Sequence, residues 1–234
     1  MSDTMAARLR RIEERIEAAC CRCGRKRQEV GLMAVTKFQG AEAVQAAWQA
    51  GIRLFGESRV QEASEKFGTL WETLSRDSEL HLIGSLQRNK AKTAAALFDC
   101  IQSVDRDSLI DTLGGLTIER ENSLMVLLEY HTGEETKAGF PSMDSLFRAA
   151  EKVLSFPGLK PAGLMTMAPF TDDTAAVRSA FRALAAARDE LVKRFPSEDW
   201  HCLSMGMTGD FEIAIEEGST MIRIGTALFG EGRA

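Results

Sequence analysis

The chain has 234 residues, 44% of them hydrophobic and 27% charged, the balance of a globular protein able to bury a sizeable core. Its formal net charge of −5 creates no field that would gather polyanions, which argues against nucleic acid as a partner. No apolar run approaches the roughly 18 residues of a membrane span, and the opening MSDTMAARLRRIEERIEAA carries charge throughout and has no signal-peptide centre, so a cytoplasmic protein is expected.

The stretch from Thr4 to Arg27 has helical composition, with RLRRIEER as the polar face of an outer helix. It ends in ACCRCGRK, where Cys20, Cys21 and Cys23 cluster. A zinc site needs a second ligand pair at set spacing, and His81, His131 and His201 are scattered singly. Reduced, structural cysteines near a helix end are expected.

Eight apolar runs then read as strands, at 31–37, 52–57, 79–85, 100–105, 123–130, 160–167, 199–206 and 220–226. Most are rich in Val, Ile, Leu and Met without alternation, as in parallel strands covered on both faces. Helical segments lie between them at 41–50, 57–75, 89–98, 106–120, 143–154, 171–195 and 209–218. Thr171 or Asp172 is expected to cap the sixth of these, and Gly218 to end the seventh. The βα alternation predicts an α/β fold, a single (β/α)8 TIM barrel as one domain over 1–234. An open doubly wound sheet is the alternative. Only ALFGEGRA follows the eighth strand, so residues 1–28 are expected to fill the vacant outer place as an extra N-terminal helix. With no apolar stretch unexplained, a monomer is expected.

Ligands of such barrels bind at the C-terminal strand ends, and phosphates often at the loops after strands seven and eight. Lys37 ends the first strand, Ser204-Met205-Gly206 the seventh and Arg223-Ile224-Gly225-Thr226 the eighth. Gly225 lets backbone N–H groups approach an anion, and the hydroxyls of Ser204 and Thr226 add donors. Two cations, Lys37 and Arg223, at one barrel mouth need anions or a change of state. Each could pair with a carboxylate such as Glu57 or Glu129. Alternatively, Lys37 has a lowered pKa and forms a Schiff base with an aldehyde. Pyridoxal 5′-phosphate (PLP) fits that constellation, its aldehyde on Lys37, its phosphate at Ser204, Gly225 and Thr226, and its ring nitrogen facing Arg223.

The segments AVTK, FGESRVQE, HLIGSLQRNK, SVDR, LMTMAP, LSMGMTGD and GSTMIRIGTALFG together resemble the pyridoxal phosphate homeostasis protein family, also called the YggS or proline-synthase co-transcribed type. The resemblance runs from about Leu32 to Gly230, in the same order and with similar spacing. It implies a single barrel related to the N-terminal domain of alanine racemase. It also implies Lys37 as the lysine that holds PLP, Ser204, Gly225 and Thr226 as phosphate ligands, and Arg223 beside the pyridine nitrogen. Ser58 stands where the family usually has an Asn near the cofactor, and Ser85 where His or Pro is commoner.

An arginine at the ring nitrogen keeps it unprotonated and weakens the ring as an electron sink. The first reading is therefore a non-catalytic protein of intracellular PLP homeostasis that hands the cofactor to apo PLP-dependent enzymes. The alternative is a PLP-dependent amino-acid racemase or lyase, for which Tyr130, the one tyrosine, would be the second base. A third reading is a phosphosugar-binding barrel enzyme in which Lys37 attacks a sugar aldehyde. Lys137, in the loop after strand five, is a candidate second amine. Gln87, Asn89 and Lys90 are expected on the open face, and His81 on the opposite, stabilising face.

Overall fold

The computed structural model describes residues 4–74, 77–118, 122–133 and 138–230. Eight short strands, β1 (Gly31–Val35), β2 (Leu54–Glu57), β3 (Glu79–Leu82), β4 (Cys100–Val104), β5 (Leu124–Glu129), β6 (Leu159–Met165), β7 (Cys202–Ser204) and β8 (Met221–Ile224), pair in chain order. All pairs are parallel, and β1 closes on β8 with Met33 opposite Arg223. That closure excludes the open doubly wound sheet.

Between the strands lie α2 (Ala41–Gln49), α3 (Val60–Leu70), α4 (Ala91–Leu97), α5 (Asp107–Thr117), α6 (Met143–Leu154), α7 (Thr174–Arg194) and α8 (Phe211–Glu216), with α9 (Thr226–Phe229) after β8. The strands are shorter than the apolar runs that announced them. β7 keeps only Cys202–Ser204, because the chain turns at Gly206, φ +97°, where a Cβ would lie 2.6 Å from that of Ala214. The cap of α7 is neither Thr171 nor Asp172. Asp173 accepts from the N–H groups of Ala175 and Ala176, and the Thr171 hydroxyl accepts from the Asp173 N–H. Thr171 thus shapes the turn that presents the cap.

An additional helix, α1 (Met5–Arg22), precedes the barrel. Its buried residues Ile12, Ile16, Ala19 and Cys20 recur at the spacing that makes one apolar stripe. The stripe packs on α8 and α9, occupying the place that the four-residue α9 is too short to cover. Arg8 donates to the Leu228 carbonyl at 2.9 Å, and Arg15 and Arg22 pair with Glu212 and Glu216 of α8.

The main core lies between strands and helices. A smaller cluster of Cys100, Leu127, Ala162, Met165 and Cys202 fills the barrel interior. Burial pushes the Cys100 thiol well up and that of Cys202 to about 12, so both act as apolar packing groups rather than nucleophiles. Cys23 caps the end of α1, its Sγ directed at the carbonyls of Ala19 and Cys20. Ile16 is fully buried, and Ile16→Ala is expected to lower unfolding stability in urea by about 2–4 kcal/mol. An unchanged midpoint would show that α1 contributes little to the barrel.

Candidate functional site

At the C-terminal ends of the strands opens a cavity of about 450 Å³, a size suited to a small organic ligand. Lys37, Ser58, Arg223, Gly225 and Thr226 all line it. Ser85 and Glu129 line it too, whereas Ser204 does not.

β1 ends at Val35, and Lys37 follows it in a tight turn, exposed between buried Thr36 and half-exposed Phe38. Among the described residues Lys37 makes no ion pair; its Nζ stands 5.9 Å from the centroid of the Phe38 ring. Glu57, offered by spacing as its partner, is engaged elsewhere. Successive strand residues face opposite sides, so Gly56 looks inward at the Met33 side chain while Glu57 points outward to α3. There its Oε1 accepts from Lys66 Nζ and from the Thr36 hydroxyl, both at 2.7 Å. Burial, the larger influence, raises the Glu57 carboxyl above its ordinary range against the pull of Lys66 and Thr36. Phe38 has φ +63° and is the one non-glycine residue with positive φ among the described residues, a conformation costing roughly 1–3 kcal/mol.

Arg223 is held from inside the barrel. It is 4% exposed, and one guanidinium nitrogen donates to both the carbonyl and the hydroxyl of Ser204 at 2.7 Å, the other to the Thr166 carbonyl at 2.9 Å. Among the described residues no carboxylate reaches it within ion-pair distance. Burial lowers its pKa to about 10, against the more distant pull of Asp210 and Glu129, and it remains a cation at neutral pH.

Ser204 therefore has a different place from the one its motif suggested. Its hydroxyl accepts from Arg223 and donates to Gln102 Oε1 at 2.6 Å. That orients the Gln102 Nε2 toward His81 Nδ1, 2.8 Å away. His81 Nδ1 is then the acceptor, which puts the ring proton on Nε2, 3.1 Å from Glu79. His81 belongs to this interior line, not merely to a stabilising rim. Ser204 orients Arg223 while lying off the cavity wall.

Thr208 and Gly209, after β7, line the cavity opposite Gly225 and Thr226. The amide N–H groups of Thr208, Gly209, Thr226 and Ala227 meet no acceptor among the described residues, so they are free to receive an anion. Thr208 and Gly209 were not anticipated as site residues, and Glu129, offered by position as an ion-pair partner for a cation at the mouth, lines the cavity without pairing with Lys37 or Arg223. The Gly-containing run MGMTGD was the available signal for the first two. Ser58 is fixed by close packing: a Cβ on Gly84 would lie 2.2 Å from its carbonyl oxygen. Tyr130 is not on the cavity wall but half-buried in a small adjoining hollow, which shares Glu129, Ala138 and Met167 with the cavity, and burial raises its phenol pKa. Gln87, Asn89 and Lys90 do not reach the cavity wall, and Lys137 lies outside the described residues.

Glu129 is 5% exposed, and its carboxyl is lifted to about 7, by burial first and then by Asp105, against Arg223. Between the ordinary carboxylate range and that value the native state keeps a proton that the unfolded chain releases. Stability attributable to this group therefore falls as pH rises through the interval. In the ligand-free protein, Glu129→Gln is expected to change stability little near pH 5 and to raise it by roughly 1–3 kcal/mol near pH 8. Denaturant unfolding at the two pH values measures this. An equal effect at both would contradict it.

The family described as alanine racemase, N-terminal domain, matches residues 7–232. The pyridoxal phosphate homeostasis protein of Aquifex aeolicus is 40% identical over 225 residues, covering 96% of each chain. That of Escherichia coli K12 is 35% identical, over 97% of this chain and 96% of its own. Among solved structures, PipY of Synechococcus elongatus with PLP bound superposes with a TM-score of 0.84 at 33% identity, covering 97% of this chain and 100% of that one. Alanine racemase from E. faecalis shares the fold, with a TM-score of 0.70 at 20% identity, this chain spanning 58% of it. A closed barrel with these residues at its mouth and this degree of identity over nearly its whole length belongs to the pyridoxal phosphate homeostasis proteins of the alanine racemase N-terminal-domain family.

Proposed function

We propose that this chain binds pyridoxal 5′-phosphate in the cavity, holds it through a Schiff base on Lys37, and acts in PLP homeostasis by storing the cofactor and delivering it to apo PLP-dependent enzymes. The observation that carries this reading is the juxtaposition, around one cavity, of an amine with no carboxylate partner among the described residues, a buried guanidinium and open backbone amides. That donor set fits the group. Lys37 would supply the nucleophile for the aldehyde, with water released. Gly225, Thr226, Thr208 and Gly209 would bind the phosphate through their N–H groups, and Arg223 would lie at the ring nitrogen. Ser204 orients Arg223 from behind, and Ser58 bounds the ring pocket. When bound, the cofactor would supply an electrophilic carbon for amines.

A carrier is favoured over a racemase or lyase by two features. A cationic Arg223, fixed by two carbonyls and a hydroxyl, cannot accept a proton and so does not favour a protonated ring nitrogen. Tyr130, the candidate second base, is not among the residues that line the cavity with Lys37.

Incubation with PLP is expected to give a near-visible imine absorption band, and borohydride reduction followed by peptide mass mapping is expected to find the pyridoxyl adduct on Lys37. Lys37→Ala should abolish both. No adduct would put the phosphosugar reading first. Amino-acid racemisation well above that of free PLP would overturn the carrier reading, and transfer to an apo-enzyme in the absence of turnover would support it.

A further inference from the structure

The residues on both sides of Lys37 are held by a charge cluster whose side chains do not line the cavity. Lys66, on α3, has a side chain only 7% exposed. Its ammonium donates to the Thr36 carbonyl at 2.7 Å, to Glu57 Oε1 at 2.7 Å and to Glu62 Oε1 at 3.0 Å. All three of its protons are thereby used. The same two carboxylates hold the residues flanking Lys37. Glu57 Oε1 takes the Thr36 hydroxyl at 2.7 Å, and Glu62 Oε1 takes the Phe38 N–H at 2.6 Å.

We infer that Lys66, with Glu57 and Glu62, is a positioning residue for Lys37, fixing the two peptide units around it and hence the point from which its amine enters the cavity. The inference rests on the reading of Lys37 as the amine that captures an aldehyde. Three observations carry it. Phe38 sits in the left-handed region, which an aromatic residue does not occupy unless its surroundings hold it there. The restraints are the Glu62 bond to its N–H and the Arg59 guanidinium 5.3 Å from its ring centroid. Glu57 Oε2 is buried without a hydrogen-bond partner, so the cluster is not arranged for greatest stability. Apolar side chains commonly stabilise such a place as well or better. And among the described residues the cluster's side-chain bonds to the chain outside β2 and α3 fall on Thr36 and Phe38 alone, the neighbours of Lys37.

In the capture step the neutral Lys37 amine adds through its lone pair to the aldehyde carbon, and both amine protons then leave with the carbonyl oxygen as water, so that C=O is exchanged for C=N. Its rate depends on where the amine is held, whereas binding of the phosphate and ring does not. The test compares two ligands. PLP at a subsaturating concentration, trapped by borohydride at timed intervals, reports capture on Lys37. Pyridoxine 5′-phosphate, with an alcohol in place of the aldehyde, reports binding without a covalent bond. The variants are Glu62→Ala, which removes the acceptor for Phe38 from a partly exposed position, and Lys66→Met combined with Glu57→Gln, which leaves no unpaired buried charge. For each, capture is expected to slow about tenfold or more, with pyridoxine 5′-phosphate affinity within about twofold of the parent. If Glu62→Ala leaves capture unchanged, or both variants lose capture and pyridoxine 5′-phosphate binding together, the positioning role is overturned and the cluster is merely structural. If the unmodified protein itself yields no adduct on Lys37, the reading of Lys37 fails first, and the inference goes with it.

Discussion

Arg223 is a full positive charge buried inside a barrel, and the organisation of the site follows from how that charge is accommodated. Desolvating a guanidinium is costly unless its N–H groups are satisfied. Here two backbone carbonyls and one hydroxyl do this, and the carboxylates Asp210 and Glu129 act only from a distance. A cation satisfied by dipoles, with no carboxylate in direct contact among the described residues, contributes positive potential to the cavity wall. The adjoining loops add unpaired amides of the same polarity. An anionic ligand is what this arrangement is built to receive.

The two cations at the mouth are handled from opposite sides of the same sheet, and the pleat of the strands is the reason. Inward positions of β3, β4, β7 and β8 carry His81, Gln102, Ser204 and Arg223, which form one continuous hydrogen-bond line across the interior. On β2 the inward position is Gly56, and the outward one, Glu57, meets Lys66 of α3. The Arg223 side of the site is therefore organised by the barrel interior, and the Lys37 side by the layer between barrel and helices. Among the described residues, no carboxylate pairs with Lys37.

Much of the site could be read along the chain because its residues sit at strand ends, where apolar runs stop. Lys37, Arg223, Gly225 and Thr226 were visible as polar or glycine residues terminating such runs, and they meet around one cavity. Ser204 looked equivalent, yet its hydroxyl is committed to Gln102, a residue 102 positions earlier. No local pattern reports that contact. His81 stays off the cavity wall as its position suggested, but its bond to Gln102 was not legible for the same reason, since that partner comes from the neighbouring strand. Glu129 was visible only as a carboxylate that could pair with a cation at the mouth, because its raised pKa arises from burial and from Asp105, just past the end of β4.

The sequence by itself determined the alternation of strands and helices, the parallel order, the place of the N-terminal helix and the rim on which chemistry collects. Hydrophobic periodicity, glycine positions and chain direction carry that information locally. Only the tertiary structure decided which polar groups share a hydrogen bond: Ser204 with Gln102 and not with the cavity, Glu57 with Lys66 and not with Lys37. Those choices depend on strand pleat, barrel closure and the helix layer. Ser204 and Gln102 lie 102 residues apart, and Glu57, although only nine residues from Lys66, is turned toward it by the pleat of β2 and the placing of α3.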